Sequence, residues 1–269
     1  MTYREICARL HASGIQDCQT EARILIEQIC SGTVPSDVDY DSEELLNAVE
    51  RRCKRYPLQY IIGKWWFGRC EFLVDENCLV PRPDTETVVD VARYLLPKDA
   101  RFADLCTGSG CIAVSLLDLR TDTRADAIEL YPKTLEIARK NAELNGVESR
   151  FCGILGDVLK PDILDDKVYD AIISNPPYIR REVISTLEAE VLHEPHAALD
   201  GGEDGLVFYR AILDNFVKNL KDDGFFLFEI GYDQGKAIGE LARERALSCE
   251  IKKDLGGCDR AAILRKTSK

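Results

Sequence analysis

Asn175, Pro176, Pro177 and Tyr178 stand in succession after the apolar run "AIIS". The residue before a proline is driven to extended geometry, and each proline fixes its own φ. An amide side chain and outward carbonyls are therefore held on a stiff edge, with a phenol ring beside them. Such an edge suits a planar –NH2 group, whose two hydrogens can go to the Asn175 side-chain oxygen and the Pro176 carbonyl. The nitrogen can then aim its lone pair at an activated methyl carbon, with Tyr178 packed on the flat group. In-line displacement of this kind draws much of its rate from positioning. No separate base is needed, because an alkylated amide nitrogen turns strongly acidic and loses its proton afterwards. The competing reading is a plain Asn-Pro-Pro turn.

A second constellation is "DLCTGSGCIA", residues 104 to 113. Gly108, Gly110 and Ala113 satisfy a dinucleotide fingerprint, with Glu129 about twenty residues on to hold a ribose. A nicotinamide dehydrogenase thus has to be weighed. Asp104 opposes it: a carboxylate beside the glycine turn would face the pyrophosphate of a dinucleotide, and like charges in a half-buried crevice repel. S-adenosylmethionine reverses the sign, having an ammonium, a sulfonium and no phosphate. Glu129 can accept both ribose hydroxyls as an ionised group, and Asp157, in "LGD", can take the adenine amino group. Each carboxylate alone reads as a helix cap or a solvated loop residue. Three at successive strand ends favour a ligand.

The elements that must position these groups follow from periodicity. "TYREICARLHAS", "CQTEARILIEQIC" and "DSEELLNAVERRCKRY" show helical spacing, separated by Gly and Pro, with Asp41 or Ser42 capping the third. Residues 64 to 80 turn β-like, with Gly68 as a turn point. "PRPDTE" leads into a helix running to about Leu96. From residue 100, strands "RFADLCT", "ADAIEL", "RFCGILGD", "VYDAIISN" and "GFFLFEIG" alternate with helices, and "CEIKKDL" and "AAILRK" close as an antiparallel pair. The pattern predicts a small helical unit followed by a doubly wound, mostly parallel α/β domain. The fourth strand lies beside the first in that order, so Asn175 should face the same crevice as the glycine loop.

Composition narrows the partners. The 269 residues carry a net charge of −12, and both the first 80 residues and the remainder are acidic. Duplex nucleic acid is gripped by basic faces. The one basic cluster, "RRCKR" at 51–55, reads as the solvated last turn of a helix. Eleven cysteines lack any C-x-x-C pair and are read as reduced, small apolar side chains, with no metal expected. No apolar run reaches bilayer length and the first residues are no secretory signal, so a cytoplasmic protein with no membrane partner is expected.

The glycine loop with "NPPY" resembles class I methyltransferases acting on planar amino nitrogens. With "PLQYIIGKWWFGRCEFLVDENCLVPRPDTE", "EPHAALDGGEDGLVFYR", "FEIGYDQG" and "DLGGCDR", the chain from about residue 1 to 266 resembles the PrmC/HemK family. These are protein-(glutamine-N5) methyltransferases that modify the Gly-Gly-Gln glutamine of peptide-chain release factors. The resemblance implies a substrate-engaging helical domain (1–62), a hairpin linker (63–83) and an S-adenosylmethionine-dependent catalytic domain (84–269) that releases S-adenosylhomocysteine. It implies cofactor contacts at Cys106, Thr107, Gly108, Ser109, Gly110, Glu129, Val158 and Asn175, and substrate contacts at Asn175, Pro176, Pro177 and Tyr178. A monomer is expected. The family reads glycine where this chain has Cys106, and a side chain there should hold φ negative. Arg82, Thr85 and Glu86 either join the cofactor pocket or form a rigid linker with a helix cap. The rival in the same chemistry is adenine-N6 methylation, which would need a flipped base and a basic track. A rival of another class is a non-catalytic binding module that keeps the fold.

Overall fold

The Thr2 hydroxyl accepts from the Glu5 backbone N–H while the Glu5 carboxylate accepts from Thr2, so two orphan donors at the start of the first helix are satisfied reciprocally. In the computed structural model, which describes residues 1–30 and 38–267, that helix is α1 (Tyr3–Ala12). It is followed by α2 (Cys18–Cys30), α3 (Glu43–Cys53) and a short α4 (Leu58–Ile62) that periodicity did not separate. Gly32 and Pro35, read as separators of the second and third helices, lie outside the described residues. Ser42, not Asp41, caps α3, accepting from Leu45 N–H. Ile6, Leu10, Leu25, Ile26, Leu45 and Val49 share one fully buried apolar cluster among these helices.

A hairpin of β1 (Lys64–Phe67) and β2 (Cys70–Leu73) turns at Gly68, and α5 (Glu86–Leu95) follows a 3-10 turn over Pro83–Thr85. The alternating part then runs β3 (Arg101–Leu105), α6 (Cys111–Leu119), β4 (Arg124–Glu129), α7 (Pro132–Leu144), β5 (Phe151–Leu155) and β6 (Tyr169–Ser174). After α8 (Arg181–Ile184) and two 3-10 turns come α9 (Val207–Phe216), β7 (Leu220–Glu229), α10 (Gly235–Glu244), β8 (Leu247–Lys253) and β9 (Asp259–Lys266). The sheet order is β5-β4-β3-β6-β7-β9-β8; β9 is antiparallel to both its neighbours and the other pairs are parallel. This is the architecture expected of a class I methyltransferase, a doubly wound sheet in which β3, β4, β6, β7 and β9 are buried on both faces by separate apolar clusters. β6 lies beside β3 with Ser174 opposite Leu105, and the Ser174 hydroxyl donates to the Leu105 carbonyl at 2.6 Å. Asn175 and the glycine loop thus emerge side by side at the carboxyl edge.

The basic cluster departs from its sequence reading as a solvated helix end. Arg52 is buried, pairing with Glu21 (2.5 Å) and with Glu190 (2.9 Å), and Arg55 pairs with Glu190 at 2.7 Å. Periodicity cannot register carboxylates brought in from 31 and 138 positions away. Removing one partner of a buried ionic cluster leaves the others uncompensated. Arg52→Ala is therefore expected to cost about 3 kcal/mol, read from urea unfolding followed by far-UV circular dichroism.

Candidate active site

Burial of Asp104 organises the glycine loop from below. Its Oδ2 accepts from the Thr107 hydroxyl at 2.6 Å and from Ala113 N–H, in the first turn of α6, at 3.2 Å. Desolvation pushes this fully buried carboxyl up to about 7, against the pull of those two hydrogen bonds. Oδ1 has no partner among the described residues. Gly110 starts α6 at φ +83, and a Cβ there would press within 3.3 Å of Ala138 on α7. Cys106 departs from expectation: its φ is +59, not negative. The loop keeps the left-handed turn that glycine takes readily and bears roughly 1 kcal/mol of strain for its side chain.

A cavity of about 370 Å³ opens above this loop at the carboxyl edge. Cys106, Thr107, Gly108 and Ser109 form its floor, with Glu129, Asp157 and Val158 on one side and Asn175 and Pro177 on another. Glu129 is largely satisfied by backbone: Oε2 accepts from Gly108 N–H (3.0 Å), and Oε1 from Leu130 (2.9 Å) and Tyr131 (3.1 Å). Burial raises its pKa and these three bonds oppose the rise. Asp157 spends one oxygen on its own turn, accepting from Leu159 N–H at 2.9 Å. Four of the expected contact residues, Asp104, Gly110, Pro176 and Tyr178, are not on the cavity wall. Of these, Asp104 and Gly110 shape the loop from beneath. The Tyr178 hydroxyl turns inward to Glu229 Oε1 at 3.2 Å.

Asn175 is half-buried at the end of β6, and its Nδ2 donates to Thr85 Oγ1 at 3.3 Å. That contact uses the nitrogen end of the amide and leaves the oxygen end without a bond among the described residues. Pro81, Arg82 and Thr85 of "PRPDTE" line the cavity, whereas Glu86 is not on its wall and accepts from Gly68 N–H at 3.1 Å. Arg82 is held by the buried Glu194, which also accepts from Val80 N–H at 3.0 Å.

Three sets of comparisons bear on this geometry. The chain is 36% identical over 268 residues to a release factor glutamine methyltransferase of Caulobacter vibrioides, covering 95% of this chain and 92% of that one. The chain belongs to the release factor glutamine methyltransferase family. A second relative of the same name, from Thermodesulfovibrio yellowstonii, is 36% identical over 239 residues, covering 87% of this chain and 85% of its own. Residues 86–216 match the family model described as "Methyltransferase small domain". Among solved structures, the hMettl16 catalytic domain in complex with MAT2A 3'UTR hairpin 6 superposes with TM-score 0.60 at 16% identity, covering 85% of this chain and 83% of that one. At that identity the likeness is one of fold.

The cavity and its surroundings include residues to which sequence reasoning gave no role. The outer wall is built by Pro195, His196, Ala197, Ala198 and Asp200, and by Leu79 and Val80. Glu229 is fully buried and joins Thr85 to Tyr178. One signal was legible for it: like Asp104 and Glu129, it is an acidic residue closing an apolar strand, in "FFLFE". The wall residues lie within the quoted stretches "EPHAALDGGEDGLVFYR" and "ENCLVPRPDTE", but no periodicity or charge pattern there says what they face. Chemically, the cavity offers carboxylates, several hydroxyls and backbone groups. Its one lining Lys or Arg among the described residues is Arg82, already paired. A cationic ligand with a ribose diol fits that donor set, whereas a pyrophosphate would lack a free counter-charge.

Proposed function

We propose that the protein methylates the side-chain amide nitrogen (N5) of the Gly-Gly-Gln glutamine in peptide-chain release factors, using S-adenosylmethionine, and so modulates translation termination. The observation that carries this reading is the polarity of Asn175: its nitrogen is committed to Thr85, so its oxygen is available to accept from a primary amide. The cofactor supplies an electrophilic methyl carbon on a sulfonium. Cys106 to Ser109, Glu129, Asp157 and Val158 hold it, with Gly110 and Asp104 fixing the loop. Asn175 Oδ1 and the Pro176 carbonyl take the two hydrogens of the glutamine amide, which orients its lone pair outward. Pro177 stiffens this edge and Tyr178 anchors it to Glu229. Residues 1–62 engage the release factor, 63–83 link, and 84–269 carry the reaction, acting as a cytoplasmic monomer without direct nucleic-acid contact.

Mass spectrometry of a release-factor peptide after incubation with S-adenosylmethionine tests the proposal: one methyl group is expected on the glutamine of Gly-Gly-Gln. Methyl label found only in added DNA or RNA would overturn it. The cofactor assignment has its own check. Glu129→Ala removes the ribose acceptor and strands three backbone N–H groups, so S-adenosylmethionine affinity by calorimetry is expected to fall by about 100-fold. A change below about threefold would remove Glu129 from the cofactor site.

A further inference from the structure

We infer that Glu229 and Thr85 form a hydrogen-bond relay that determines which end of the Asn175 amide faces the substrate. The inference rests on the proposed function, since it assigns a positioning role within that same site. An asparagine amide is nearly symmetric in shape, and a half-turn about its last bond exchanges acceptor for donor. Gripping a substrate –NH2 requires the oxygen outward, so something behind Asn175 must accept a hydrogen and not give one.

Counting hydrogens along the chain of contacts supplies that constraint. An ionised carboxylate only accepts. Glu229 Oε2 therefore takes the single hydroxyl hydrogen of Thr85, at 2.5 Å. With that hydrogen spent, Thr85 Oγ1 can only accept, and it does so from Asn175 Nδ2 at 3.3 Å. Thr85 is 0% and Glu229 1% exposed, so water does not substitute for either link. The other carboxylate oxygen accepts from the Tyr178 hydroxyl, pinning Glu229 between the two ends of the substrate edge.

The groups facing Glu229 are Thr85 and Asp84 from the turn before α5, Cys111 from α6, Tyr178 after β6, Tyr209 from α9, and Arg260 from β9. Burial raises the Glu229 carboxyl to about 6, with Thr85, Arg260 and Tyr178 holding it down and Asp84 pushing it up. Above that pH the carboxylate dictates the direction of every bond in the relay. Below it, protonated Glu229 can donate to Thr85, which can then donate to Asn175 Oδ1. The amide is free to turn and meet the substrate donor with a donor.

The test compares Thr85→Val, which keeps shape and removes the hydroxyl, with Thr85→Ser, which keeps the hydroxyl. Expected is a fall of roughly thirtyfold in kcat/KM for release-factor methylation in Thr85→Val, and less than about threefold in Thr85→Ser. The wild type should lose activity toward acid near pH 6, and that limb should vanish in Thr85→Val. Equal damage in both variants, or full transfer by Thr85→Val, overturns the relay. A readout independent of substrate and of any variant's folding is the Asn175 side-chain amide resonance in the wild-type protein. It should move as Glu229 titrates, and its indifference to pH overturns the relay. If the wild type shows that titration yet leaves release factor unmethylated, the proposed function fails and the relay stands.

Discussion

Asn175→Ala is expected to abolish methyl transfer, a loss of at least about 1000-fold in kcat/KM, while S-adenosylmethionine affinity falls by less than about tenfold. The asymmetry follows from where the side chain stands. Asn175 occupies one edge of a cavity whose floor and opposite side are made by the loop at 106–109 and by Glu129, Asp157 and Val158. Removing it leaves those surfaces intact. The primary amide of a substrate glutamine, in contrast, would lose the side-chain acceptor proposed for it and keep only the Pro176 carbonyl, too little to fix its orientation. Single-turnover transfer from labelled cofactor, beside calorimetry on the same preparation, separates the two effects. Transfer surviving in Asn175→Ala would mean that residues 175–178 form only a turn.

The second large effect comes from a residue that touches neither cofactor nor substrate. Gly205 sits at φ +73, and a Cβ built there would strike the Tyr178 carbonyl oxygen and come within 2.8 Å of Gln234 Nε2. Gln234 is the tie at this point, donating to the Tyr178 carbonyl (3.1 Å) and to the Gly205 carbonyl (3.2 Å). Gly205→Ala therefore combines left-handed backbone strain with displacement of the segment behind Asn175. We expect a loss of about 100-fold in transfer and about 3 kcal/mol in stability. Gly146 is the matched control: its φ is +67, but nothing lies within 4 Å of an added Cβ. Gly146→Ala should cost only about 1 kcal/mol of strain and leave transfer unchanged. Equal activity loss in the two variants would show that backbone strain, and not pressure on Tyr178, is responsible.

The sheet was legible because its signals are local. Period-two and period-3.6 patterns, with Pro132 opening α7 and Gly146 following it, marked the alternating elements, and the closing antiparallel pair emerged as expected. The glycine loop and the Asn-Pro-Pro-Tyr edge were legible because Gly and Pro restrict the backbone by themselves. What stayed hidden was second-order. Whether Asp104 meets a ligand or braces a helix depends on rotamer and depth, and the sequence shows only that it ends a strand. The positive φ of Cys106 broke a sound steric rule, since the surrounding loop overrides the preference of one residue. Arg52 and Arg55 looked like surface charges because the carboxylates that pair with them arrive from distant parts of the chain.

The cavity's outer wall follows a segment fastened at Glu190 to Arg52 and Arg55, and at Glu194 to Arg82. All three anchoring cations precede the alternating part of the chain: Arg52 in α3, Arg55 just after it, and Arg82 before the turn into α5. A dissected version starting at residue 84 would keep the loop and strand-end groups proposed to hold the methyl donor, yet lose all three of those cations together with Leu79 and Val80 of the wall itself. Weak retention of the donor by such a fragment would therefore report a slackened wall, and should not be scored as a defect of the glycine loop.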